Sequence, residues 1–238
     1  MRRRGDLFTF MTTSAKSDWL IPASLIVLSL VPVAAGISRI AGLAGGGPVA
    51  AADARFFASP APVVIHIIAA AIFCVVGALQ FSPGFRRRHR RWHRLAGWIL
   101  IPCGLAAALA GLWMAAFYPN ASNGSDVLKA ERLVVGTAMT VFLILAFVAV
   151  RRRDVTRHGA WMIRAYAIGQ GAGTQVLTGL PWLLLVGVPG VAASAVLLGA
   201  GWVINIIVAE WIIRRWLPQG NARRGAKSEP APVESETF

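Results

Sequence analysis

The chain reads as an all-α integral membrane bundle: six transmembrane helices with both termini cytoplasmic. Solvent preference, the spacing of apolar runs and the placement of arginines carry that reading. Only 14% of its 238 residues are charged while 56% are hydrophobic, and the mean hydropathy is +0.62; a soluble domain averages about 25% charged residues. Water is therefore the wrong solvent for most of the chain. A formal net charge of +14 would suit a nucleic-acid partner if the cations formed one stripe on a soluble surface. They fall instead in short blocks between long apolar runs, so no nucleic acid is expected as a partner.

A hydrocarbon core of about 30 Å needs about 20 apolar residues in helical form. Runs of that scale stretch from Trp19 to Ala35, from Ala61 to Phe81, from Leu95 to Tyr118 and from Leu133 to Val150. Beyond His158 comes an apolar stretch too long for one crossing, reaching Ile213, with basic residues at both flanks. Like flanks require an even number of crossings. The break is expected at Gly187 to Gly190, "GVPG", because proline and glycine together end a helix readily. Residues 1–18 form a cytoplasmic lead, residues 19–213 the membrane domain, and residues 214–238 a basic and then disordered cytoplasmic tail rich in Pro, Ser and Glu. The first run is read as a retained span and not a cleaved signal, because its polar lead is long and its loss would leave an odd number of spans. Asn120 and Asn123 form N-x-S sequons in a connecting segment, which matter only in a glycosylating pathway.

Orientation follows from Lys and Arg, which are retained on the cytoplasmic side during insertion. With the N-terminus inside, the inner segments hold Arg2, Arg3, Arg4 and Lys16, arginines 86, 87, 88, 90, 91 and 94, arginines 151, 152, 153 and 157, and five cations of the tail. The outer segments hold only Arg39, Arg55, Lys129 and Arg132. This asymmetry places both termini in the cytoplasm, as expected of a chain in a bacterial inner membrane. The cluster from Arg86 to Arg94 is read as an anchor on anionic headgroups, each cation near the surface contributing about 1 kcal/mol. Trp92, Trp98 and Trp161 at the same interface fit an aromatic belt.

Ionisable groups inside a bilayer cost energy and mark structure or function. Arg164 lies six residues into the fifth span, and Glu210 lies four residues before Arg214 at the end of the sixth. Their depths agree within a helical turn, and consecutive antiparallel helices are neighbours, so the two are expected to pair. Arg164, Gly171, Gln175 and Thr178 share one helix face, pointing inward as a helix contact or a solute path. Gln80 is a further polar group within the second span. Gly97, Gly104 and Gly111 recur at heptad spacing on a face with His93, which suits close helix packing and leaves room for a cofactor slot beside it.

The histidines are candidates for a cofactor. His93 opens the third span and His158 the fifth, both at the cytoplasmic interface, while His66 lies five residues inside the second from the outer side and His89 in a solvated loop. Two imidazoles at one depth are what a six-coordinate haem b requires, and His93 with His158 satisfies that; His66 has only Met114 near its own level. Cys74 and Cys103 are single and inside apolar runs, with no metal-ligand or disulfide spacing. No nucleophile-base pair or paired carboxylates stand out, so the residues indicate no enzyme beyond an electron-transfer role.

The succession "ARFFASPAPVVIHIIAAAIFCVVGALQF", "RRRHRRWHRLAGW" and "RRRDVTRHGAWMIRAYAI" resembles the bacterial predicted membrane proteins grouped as domain of unknown function 2306. The likeness lies in the order of His66, Gly77 and Gln80, then His93-Arg94 before Gly97, then His158 with Trp161, Met162 and Arg164. It implies a multi-pass membrane protein and transfers no catalytic residue. The general pattern is also similar to cytochrome b561-like carriers, which hold two haems through four histidines, whereas a full pair exists here only on the inner face. Three functions stay open: a haem b redox protein using His93 and His158, a transporter of a small polar or anionic solute using Arg164, Gln175 and Glu210, and an accessory or lipid-binding protein.

Overall fold

A computed structural model describes residues 4–45, 53–119 and 125–216. Every regular element among the described residues is helical: α1 (Arg4–Ala44), α2 (Ala54–Ala58), α3 (Pro60–Ala78) running into a 3-10 turn (Leu79–Phe81), α4 (Pro83–Arg88), α5 (Arg90–Phe117), α6 (Asp126–Arg151), α7 (Val155–Gly169), α8 (Gly171–Leu185) and α9 (Val191–Trp216). Five segments are long and apolar enough to cross a bilayer: Trp19–Ala44, Pro60–Phe81, Arg90–Phe117, Asp126–Arg151 and Val191–Arg215, with hydropathies of 2.0 to 2.7. Their outward faces stay apolar, with Leu20, Val27, Trp98, Phe117 and Trp211 each more than half exposed. Such a surface is stable against lipid and not against water. The chain is a multi-pass membrane protein.

Helix ends overrun the apolar runs because propagation needs only the next backbone hydrogen bond once a helix exists. Thus α1 continues past Ala35 to Ala44, α5 starts among arginines at Arg90, and α6 starts at Asp126. Ser125 caps α6 by accepting from the Leu128 N–H at 3.1 Å, and Asp154 caps α7 by accepting from the Arg157 N–H at 2.9 Å. The gap between α8 and α9 falls at residues 186–190, where "GVPG" predicts it. Asn120, Asn123 and the tail beyond Trp216 lie outside the described residues.

The apolar stretch after His158 is not one unbroken helix up to that gap. α7 and α8 meet at Gln170, in the sequence "GQGAG", where three glycines lower helix propensity by about 1 kcal/mol each. Backbone carbonyls freed at the break find new donors, as they must in lipid: Gly169 accepts from the Cys74 thiol at 3.4 Å and Ala167 from the Asn205 amide at 2.9 Å. The Gln170 amide donates to the Tyr166 hydroxyl at 2.7 Å and the Leu25 carbonyl at 3.2 Å. The Ser29 hydroxyl lies 3.2 Å from its carbonyl oxygen, and Tyr166 donates to the Cys74 carbonyl at 2.6 Å. One buried network therefore ties α1, α3 and α7 together. Around it packs the apolar core of Phe73, Leu100, Met139, Leu143, Ala165 and Ile168.

Candidate ligand-binding cavity

Arg164 on α7 and Glu210 on α9 form a two-toothed ion pair, Nε to Oε1 at 2.5 Å and Nη2 to Oε2 at 2.9 Å. The guanidinium also lies over the Trp161 ring, 4.6 Å from its centroid, and Trp161 in turn stacks on Phe142. Both charges are thereby spent on each other. Gln175 donates to the Leu198 carbonyl at 2.9 Å, and Thr178 to the Leu197 carbonyl at 2.8 Å. A Cβ at Gly171 would collide with the Trp202 indole. Although the helix breaks between them, Arg164, Gly171, Gln175 and Thr178 all turn to α9, and what they build is a helix contact.

The histidines separate into two places. At the arginine-rich end, His93 Nδ1 meets the Gln80 side-chain oxygen, and His158 Nδ1 meets the Ala146 carbonyl at 2.9 Å. Gln80 Nε2 is buried with no partner among the described residues. His89 is exposed and rests on Phe85, ring centroids 4.7 Å apart. The glycine groove that would hold a cofactor slot beside His93 is filled midway. A Cβ at Gly104 would lie 2.8 Å from the Phe73 ring and 2.9 Å from Leu143, whereas one at Gly97 would meet nothing. The groove opens again only at Gly111, which faces the ring of His66.

There, toward the end remote from the arginine clusters, lies a cavity of about 430 Å³. α3 and α5 line it with small groups, Ala70, Ala107, Ala108 and Gly111, while Gly136 of α6 makes room for the Leu112 side chain. No side chain from those small positions can fill the space. Phe73, Ile168 and Gly169 close its deep end, and Met114, Met139, Gln175 and Trp202 also face it. His66 on α3 lines it as well, its Nδ1 on the Ala107 carbonyl at 2.8 Å. A carbonyl oxygen only accepts, so Nδ1 carries the proton and Nε2 of the neutral ring keeps a lone pair.

The mouth is cationic. Arg55, Lys129 and Arg132 line it together with Tyr118 and Pro119. Arg55 donates to the Pro119 carbonyl at 3.2 Å and lies over the Phe56 ring at 4.7 Å. Tyr118 donates to the Ser59 carbonyl, and burial holds its phenol above the ordinary value, so it stays a neutral donor. Of the acids at this end, Asp126 stands in the first turn of α6, Asp53 pairs with Arg39 at 2.7 Å and Glu131 packs against Gly199 of α9. None forms an ion pair with a mouth cation among the described residues. The sequence counts these three cations as scattered loop charges, and only folding brings them around one opening.

A family model of predicted membrane proteins, DUF2306, matches residues 63–213, a span that holds His66, Gln80, His93, Lys129, Arg132, His158, Arg164, Gln175 and Glu210 and leaves out Arg55. No curated protein and no solved structure matches the chain. The likeness to cytochrome b561-like carriers therefore has no counterpart among these matches.

Proposed function

The chain belongs to the DUF2306 family of predicted membrane proteins, and from that premise we propose a six-span inner-membrane protein, both termini cytoplasmic, whose cavity binds an amphipathic anion from the outer side. α7 and α8 have fifteen residues each, about 22 Å, too short to cross alone and long enough together. Counting them as one crossing puts every arginine-rich segment on one side, in keeping with the retention of Lys and Arg in the cytoplasm. The exposed arginines 86, 87, 88, 90, 91 and 94 then meet anionic headgroups of the inner leaflet.

The observation that carries the ligand class is the polarity gradient of the cavity, three cations at the mouth and an apolar interior. A carboxylate or similar head is neutralised at the mouth while its hydrophobic body leaves water, worth about 25 cal/mol per Å² buried. Recognition of a solute by Arg164, Gln175 and Glu210 has less support, since each of the three already has a protein partner. The test is saturable binding of a fluorescent long-chain carboxylate to the full chain in nanodiscs of zwitterionic lipid. One site per chain is expected, weakened at least tenfold in Arg55→Gln/Lys129→Gln/Arg132→Gln and for the corresponding alcohol. Absence of saturable binding, or equal binding of alcohol and acid, would overturn the reading.

A further inference from the structure

We propose that the cavity's ligand is an iron porphyrin, with His66 as an axial ligand and the propionates on the cations of the mouth. The inference rests on the amphipathic-anion reading above and names the ligand within that class. The Nδ1–H of His66 is pinned by the Ala107 carbonyl at 2.8 Å, and its ring lines the cavity. Holding the far nitrogen in this way fixes the tautomer and orientation of imidazoles that bind metals through the other one. Nε2 makes no hydrogen bond within the protein among the described residues, which leaves its lone pair to the cavity.

The rest of the cavity suits a flat dianion. Gly111 stands one turn beyond Ala107, where a Cβ would lie 3.4 Å from Cε1 and Nδ1 of His66, so the missing side chain lets that edge of the imidazole lie against α5. Met114 and Met139 line the same space, and thioether sulfur is an accepted second axial donor for haem iron. His66 lies six residues beyond Pro60, the first residue of α3, a rise of about 9 Å. That is comparable to the reach from the centre of a porphyrin to its propionate carboxylates, and Arg55, Lys129 and Arg132 stand at that edge. At the other end of the bundle His93 and His158 lie outside this cavity, and Gly104 is closed by Phe73 and Leu143.

Titration of the full chain in nanodiscs with hemin and, separately, with iron-free protoporphyrin IX tests this. One hemin per chain with a sharpened, red-shifted Soret band is expected, lost in His66→Ala and recovered in His66→Gly on adding imidazole, while His93→Ala and His158→Ala keep the band. An unchanged circular dichroism spectrum and melting temperature of the His66 variants in the same nanodiscs shows that they are folded. Indistinguishable binding of the two porphyrins, with a spectrum that His66→Ala does not alter, would overturn iron ligation and leave the amphipathic-anion reading standing. A band that depends on His93 or His158 and not on His66 would overturn the site. Failure to bind hemin by a chain that still binds the carboxylate probe would overturn the inference alone, and failure of both ligands would remove the inference together with the reading beneath it.

Discussion

Arg164 and Glu210, 46 positions apart in the chain, face each other through two parallel hydrogen bonds, at 2.5 and 2.9 Å. The planar guanidinium matches the carboxylate oxygen for nitrogen, the strongest arrangement open to such a pair. Removing one partner leaves the other charged within the bundle. Glu210→Gln is expected to destabilise the protein by about 2.5 kcal/mol, on the scale for a lone charge in a membrane helix. Replacing both, Arg164→Leu/Glu210→Leu, should cost less than either single change because no orphan charge remains. Reversible unfolding in detergent, arranged as a double-mutant cycle, measures the coupling. Strict additivity would mean that each side chain snorkels to the interface independently.

Two glycines seven residues apart on α5 have opposite surroundings. A Cβ at Gly104 would press on Phe73 and Leu143, and one at Gly97 would meet nothing within 4 Å. Gly104→Ala is therefore expected to lose about 1–3 kcal/mol through overpacking. Gly97→Ala should be neutral or gain up to about 1 kcal/mol from helix propensity. Melting temperatures of the two variants in one detergent decide the matter. Equal losses would mean that the whole heptad stripe, Gly97 included, is packed in the membrane.

The sequence made the helices legible because hydropathy and length are local properties: the runs from Trp19 and Leu133 lie inside α1 and α6, and those from Ala61 and Leu95 end within three residues of the ends of α3 and α5. Arg164 with Glu210 was legible for a related reason, since depth along adjacent helices can be counted in residues. The break at Gln170 was missed although "GQGAG" carries its signal, because hydropathy alone runs straight through it. The cavity had no local signature at all. It arises where Ala107 and Gly111 of α5 face the same space as Ala70 and His66 of α3, a matter of packing between helices. Arg55 of α2 and Lys129 and Arg132 of α6 likewise come from separate parts of the chain and acquire meaning only around that opening.

The Gln170 network should behave as a unit. Gln170→Leu keeps much of the volume but strips partners from Tyr166, Ser29 and the Leu25 carbonyl. Buried polar groups left unmatched cost about 1–3 kcal/mol. Tyr166→Phe removes the bond to the Cys74 carbonyl together with an acceptor for Gln170, and a loss within the same range is expected. In the pair Gln170→Leu/Tyr166→Phe the second change should cost visibly less than it does alone. Denaturant unfolding of the three variants reads the coupling, and full additivity would dissolve the network into unrelated contacts.

The crossing formed by α7 and α8 decides on which side the segment after Leu185 emerges. If the two helices span together, Val188, 87% exposed, faces the outside while Arg153, exposed in the turn before α7, faces the cytoplasm. If they fold back instead, both positions share the cytoplasmic side and α9 carries Arg214 and Arg215 outward, against the usual retention of cations. The native thiols Cys74 and Cys103 are first replaced by Ala and Ser to leave a silent background. Intact cells are then treated with a membrane-impermeant maleimide. Val188→Cys should label before lysis and Arg153→Cys only after it. Protection of both positions in intact cells would exclude the six-span arrangement, and the proposal that the cavity mouth opens to the outside would need an independent label at Lys129→Cys to survive.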